Sequence, residues 1–157
     1  MRILGIDPGT SLIGYGVIDI EGKKYRSVDY GDFRTKSGIP NTERVVDIYN
    51  FFDKIIKKYR PEKVGLESLF FFKNAKTVIK VSEIRGVLMY AAAKNGIEIR
   101  EFTPLQVKQA VSSYGRADKQ QVQKMVKMIL ELKEVPQPDD AADALAIAIC
   151  CGNSIEY

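Results

Sequence analysis

Histidine is absent from all 157 residues. The commonest general base, the imidazole metal ligand and every Ser-His or Cys-His couple are thereby excluded. Cysteine is nearly absent, Cys150 and Cys151 being the only two. Adjacent residues on a helix point in different directions, so no disulfide is expected between them. Neither a CxxC pair nor zinc spacing exists. They read as small buried side chains of a reducing compartment. No apolar run approaches the roughly 20 residues needed to cross a bilayer, and the N-terminus begins on a strand without signal-peptide shape. The expectation is a cytoplasmic protein with no membrane partner.

What is present is ordinary for a globular chain: 45% hydrophobic, 28% charged, net charge +4. The length predicts one domain over 1–157, large enough to bury about two-thirds of its unfolded surface. The mild basicity alone says little about nucleic acid.

Three strands are expected first, Arg2 to Asp7, Gly14 to Ile20 and Tyr25 to Phe33, joined by short turns as a meander. Helical spacing follows over Thr42 to Tyr59. A short apolar strand, Lys63 to Glu67, leads to a long helix from Ala75 to Lys94, closed by Asn95-Gly96. Ile97 to Phe102 is the fifth strand. Thr103-Pro104 reads as an N-cap followed by proline at the first helical position. That helix runs to about Ser112, another spans Asp118 to Leu132, and an apolar helix closes the chain. The order β-β-β-α-β-α-β-α-α-α implies an α/β fold, a mixed five-stranded sheet with helices on both faces.

Four carboxylates stand on the rims of buried elements, where an unpaired charge is costly. Asp7 ends the run Ile3-Leu4-Gly5-Ile6, and Glu67 ends Val64-Gly65-Leu66. Asp140 and Asp143 lie three apart at the start of the last helix, sharing one face. Each acid alone has a plain reading: a turn at Asp7-Pro8-Gly9, a strand end at Glu67, and an N-cap at Asp139 or Asp140. Asp143 lies past the first turn of an apolar helix and resists that treatment. If the strands ending at Asp7 and Glu67 are neighbours, their ends lie close together. The last helix docked beside them completes a four-carboxylate cluster. An all-oxygen set suits Mg²⁺ or Mn²⁺, and two such ions clamp a phosphodiester without histidine.

Phe70-Phe71-Phe72-Lys73 and Lys76 follow Glu67 closely. Three consecutive aromatics cannot all face one core. They suit base stacking beside two cations, or a dimer contact, or a hydrophobic loop tucked under the helix. A second basic set comprises Lys108, Arg116, Lys119, Lys124 and Lys127. Lys124 and Lys127 read as a solvated face, while Lys108 and Lys119 are placed to bracket a phosphate.

Gly5-Ile6-Asp7-Pro8-Gly9, Gly14-Tyr15-Gly16, Glu67 with Phe70, Lys73-Asn74-Ala75, Arg85-Gly86, Gln106-Val107-Lys108-Gln109, Lys119 with Gln121-Val122-Gln123, and Asp140-Ala141-Ala142-Asp143-Ala144-Leu145-Ala146 stand in order along the chain. This ordered set resembles the RuvC family of Holliday junction resolvases. The resemblance implies a ribonuclease H-like fold and a Mg²⁺-dependent, homodimeric endonuclease that nicks four-way junction DNA symmetrically. It implies Asp7, Glu67, Asp140 and Asp143 as metal-binding catalytic acids, and Lys108 and Lys119 as basic residues near them. It also implies Phe70 as a contact to junction bases, and the RuvAB branch-migration complex as partner. The doublet Asp139-Asp140 leaves two carboxylates for one place. Asp140 is preferred for its Asp-x-x-Asp spacing.

Overall fold

The computed structural model describes residues 1–69 and 75–154. Strands β1 (Arg2–Pro8), β2 (Leu12–Glu21) and β3 (Lys24–Arg34) form the meander. Helix α1 (Asn41–Tyr59) leads to β4 (Lys63–Glu67), and α2 (Ala75–Lys94) leads to β5 (Glu98–Phe102). Three helices follow: α3 (Pro104–Ser112), α4 (Lys119–Ile129) and α5 (Asp139–Asn153). The strands lie in the order β3-β2-β1-β4-β5. β1, β4 and β5 run parallel and the other pairs antiparallel. This is the mixed five-stranded sheet anticipated from the order of elements.

Alternation along the strands sorts their side chains between two layers. Leu4, Ile6, Val64 and Leu66 bury against Ile48 and Phe52 of α1 and Ile84 and Leu88 of α2. Ile3, Ile18 and Ile20 face the other way, onto a core shared with Leu145 and Ile149 of α5, Val107 of α3 and Val126 of α4. Helices therefore cover both faces.

Helix α5 lies on the sheet at backbone-to-backbone distance. A Cβ on Gly5 would sit 2.1 Å from the carbonyl oxygen of Ala144, and one on Gly14 would sit 2.0 Å from that of Asp140. Only glycine admits the helix this close. With alanines on its own side at 141, 144 and 148, all fully buried, α5 packs as the central rod of the domain.

The element ends differ from expectation in places with local causes. Ile97 is not in β5, because its N–H donates to the Ala92 carbonyl and closes the end of α2, with Gly96 at φ +70°. Helix α4 stops at Ile129 rather than Leu132, since Glu131 takes a left-handed conformation at φ +51°. Its start is set by Asp118, which forms a capping box with Gln121. Thr103 does the same for α3 with Gln106, and Pro104 occupies the first helical position.

Candidate active site

The same alternation aims two of the acids. Leu4 and Ile6 face α1 and α2, so Gly5 and Asp7 face α5; Val64 and Leu66 likewise leave Gly65 and Glu67 on the α5 side. β1 and β4 are parallel neighbours with Ile6 opposite Leu66. Asp7 and Glu67, one step further along, therefore end adjacent strands on one face of the sheet.

The third and fourth acids arrive with α5. The backbone of Asp140 lies over Gly14, which is the ladder partner of Asp7. One turn on, half-buried Asp143 joins Asp7 and Glu67 in lining a cavity of about 230 Å³, room for several waters. Lys108 of α3 and Lys119 of α4 line it as well. Asp140 does not line that cavity, but its charge acts on both Asp7 and Asp143.

The electrostatics are those of acids held together with too little compensation. Burial pushes the Asp7 carboxyl well above the usual carboxylate range, and the charges of Glu67, Asp143 and Asp140 push it further against Lys119. Burial also raises Glu67; Asp143 adds to the shift while Arg85 and Lys108 oppose it. Asp143 is raised by burial and then by Asp140 and Asp139, with Lys119 pulling the other way.

Lys119 is the resident counter-ion. Its Nζ lies 3.3 Å from Oδ2 of Asp143 and 3.3 Å from Oδ2 of Asp139. It occupies the first position of α4, where the helix macrodipole disfavours a cation. The two aspartates offset that cost. As the side chains stand, no three acids among the described residues are arranged to coordinate one ion. The donor set nevertheless fits a hard divalent cation, because it is all carboxylate oxygen and its negative charge is under-compensated. The Lys119 ammonium is the cation that now faces Asp143.

The raised acids make a stability prediction. A carboxyl raised in the folded state binds more protons there than in the unfolded chain, so stability falls as pH climbs from about 4 through the folded-state value. The lowered acids, Asp19, Asp53, Glu98 and Asp139, act with the opposite sign and only below that range. No histidine titrates in between. In chelator, the melting temperature should therefore drop from mildly acidic to neutral pH, and Asp7→Asn should flatten the slope. A flat wild-type profile measured by thermal melting would contradict the burial of these charges.

The other sequence candidates are more scattered. Lys76 is exposed in the first turn of α2 and lines a separate groove with Arg44 and Lys80. Arg116 is exposed in the loop between α3 and α4 and does not line the acidic cavity. Lys124 is exposed, in keeping with a solvated face, and Lys127 is half-buried. Phe70, Phe71, Phe72 and Lys73 lie outside the described residues.

Two participants carried no role in the reading of the residues. Arg85 is 7% exposed, donates to Oε2 of Glu101 at 2.8 Å, and is a buried positive charge acting on Glu67. An arginine between Ile84 and Val87 on an apolar helix was its visible signal. Gln123, 9% exposed, donates to Oδ1 of Asp139 at 2.9 Å. No spacing rule singles it out.

A sheet in this order, with acids closing its central parallel strands and a buried helix bringing two more, defines a ribonuclease H-like domain. The model of the family "Crossover junction endodeoxyribonuclease RuvC" matches residues 3–151. Curated relatives of that name include one from Caldanaerobacter subterraneus subsp. tengcongensis, 53% identical over 96% of this chain and 91% of its own length. Another, from Fusobacterium nucleatum, is 51% identical over 99% of this chain and 82% of its own length. The RuvC structure from Thermus thermophilus superposes with a TM-score of 0.89 at 38% identity, over 96% of this chain and 92% of that one. The same protein in complex with a Holliday junction substrate gives 0.88 at 36% identity, with the same coverages. The chain belongs to the RuvC family of crossover junction endodeoxyribonucleases.

Proposed function

We propose that this enzyme resolves four-way DNA junctions by metal-dependent phosphodiester hydrolysis, with Asp7, Glu67, Asp140 and Asp143 holding Mg²⁺ or Mn²⁺. The observation that carries this reading is the convergence of Asp7, Glu67 and Asp143 on one cavity flanked by Lys108 and Lys119. Divalent ions held by these acids would supply an activated water and would neutralise charge on the phosphate and leaving oxygen. The four carboxylates are the groups that would hold those ions. Lys108 and Lys119 approach phosphate oxygens from the side of α3 and α4, adding positive charge where negative charge accumulates. Pro104, Val107, Val122 and Ile147 form an apolar part of the cavity wall.

Paired nicks on opposing strands need two such sites related by a two-fold axis, which an isologous dimer provides. Helix α2 suits the dimer face: Ile79 and Tyr90 are 60% and 58% exposed, and Val46 of the adjoining α1 is 54% exposed. Phe70, Phe71, Phe72, Lys73 and Lys76 are assigned to junction DNA, and so is Arg116. The RuvAB complex is the partner that family membership suggests. No helix among the described residues is long and apolar enough to cross a membrane, and a cytoplasmic location is part of the same proposal.

Incubation with synthetic four-way junctions tests the reading. Cleavage is expected with Mg²⁺ or Mn²⁺ and not in chelator, with linear duplex of the same sequence left largely uncut. Equal cutting in chelator would remove the metals from the mechanism, and equal cutting of duplex would remove the junction.

A further inference from the structure

Of the five acids around the cavity, Asp139 is the one the proposed metal set leaves out, and it is also the one whose oxygens are both engaged. Its Oδ1 accepts from Nε2 of Gln123 at 2.9 Å, and its Oδ2 lies 3.3 Å from Nζ of Lys119. Gln123 and Lys119 are four residues apart on α4, so they share one face of that helix. Asp139 opens α5, where its charge is favoured by the macrodipole. The three side chains form a bridge from α4 to α5 that ends on the ammonium facing Asp143.

We infer that Asp139, aimed by Gln123, is a positioning residue that shares the Lys119 ammonium with Asp143 and so keeps Asp143 available to a divalent cation. The inference rests on the metal reading proposed above. Lys119 is 3.3 Å from each of two carboxylates. With both present, loss of Asp143 to an entering cation leaves the ammonium paired with Asp139. With Asp139 gone, Lys119 has Asp143 as its remaining acidic partner, and an entering cation must displace it outright. The half-exposed ammonium at the edge of the cavity is likewise tethered by Asp139. Gln123 is the anchor because it is almost fully buried and its amide fixes the rotation of the carboxylate. Neither Asp139 nor Gln123 lines the cavity itself.

Mn²⁺ binding to the full chain without DNA, followed by electron paramagnetic resonance of the free ion, separates this role from others. Asp139→Asn should weaken binding about tenfold, the low end for losing an outer partner of a metal site. In a Lys119→Ala background the same change should have little effect, because no ammonium remains to be redirected. Gln123→Met leaves the net charge unchanged and should weaken binding in the same direction, with thermal melting confirming that the variant is folded. If Asp139→Asn weakens binding equally in both backgrounds, Asp139 is a ligand or a through-space charge and the positioning role is wrong. If Gln123→Met binds like wild type, the anchoring role fails. Absence of binding in the wild type would overturn the metal reading and this inference together, whereas equal losses overturn the inference alone.

Discussion

Asp7→Asn will abolish junction cleavage while junction binding persists. Asparagine keeps the shape of the side chain at the end of β1 and keeps one acceptor oxygen. It loses the charge that, with Glu67 and Asp143, would draw divalent cations to the cavity in the proposed reading. Metal-assisted chemistry is worth several kcal/mol of transition-state stabilisation, so a loss of roughly a thousandfold in rate is expected. The folded state should not suffer. Burial and three like charges already disfavour the ionised Asp7, so in chelator at neutral pH the variant should melt no lower than wild type. Cleavage under single-turnover conditions, junction binding by gel shift, and thermal melting measure the three parts. Normal cleavage by Asp7→Asn would end the assignment of Asp7 as a metal-binding acid. Loss of binding together with cleavage would make it a structural residue instead.

A second large effect is expected at a residue that carries no side chain. Gly14→Ala adds one methyl group, yet that carbon would lie 2.0 Å from the carbonyl oxygen and 2.4 Å from the carbonyl carbon of Asp140. Both atoms are backbone, so no rotamer change relieves the contact. The N-terminal turn of α5 must lift from the sheet, carrying Asp140 and Asp143 away from Asp7 and Glu67. Overpacking of this kind costs about 1–3 kcal/mol. A displacement near 1 Å of catalytic groups costs about a hundredfold in rate. Gly14→Ala should thus remain folded at 25 °C with a lowered melting temperature and lose most of its cleavage activity. Gly22→Ala is a useful contrast. Gly22 sits in the β2–β3 turn with φ +60° and open space around it, so its substitution should cost stability and leave cleavage per folded molecule intact. Wild-type activity in Gly14→Ala would show that α5 tolerates displacement and that the geometry of its acids is not limiting.

Much of this architecture can be read from periodicity. The helices α2 and α3 and the strand β4 begin and end where the chain's caps, glycines and prolines place them, because those signals act within a few residues. The meander followed by alternating strands and helices leaves few topologies, and the observed sheet is the one in which β1 and β4 are parallel neighbours. Asp7 and Glu67 were legible as candidate site residues for the same local reason: each interrupts an apolar strand at its end. Asp140 and Asp143 were legible as a pair through helical spacing. Between Asp139 and Asp140 the spacing left a choice, and tertiary contacts separate them. Asp139 is occupied by Gln123 and Lys119, whereas Asp140 has no such partner among the described residues and lies over the ladder partner of Asp7.

Less legible were the residues that act across elements. Lys119 could be named as a phosphate-facing cation, but its pairing with both Asp139 and Asp143 depends on how α4 docks against α5. Arg85 and Gln123 look like ordinary polar interruptions until the fold buries them beside the acids. Glycines 5 and 14 look like strand residues of low propensity until a helix is laid upon them.

The chain by itself narrowed the chemistry open to this protein: with no histidine and a set of acids at the ends of apolar elements, oxygen is the donor that any bound cation would meet. It also determined the order of elements, since hydrophobic period and turn residues are properties of neighbours along the backbone. Only the tertiary structure decided that α5 lies near enough to the sheet for acids more than a hundred residues apart to share one cavity, and which cation stands there. Such proximity is set by packing at the scale of single atoms, where the absence of a Cβ on Gly5 and Gly14 outweighs any local propensity.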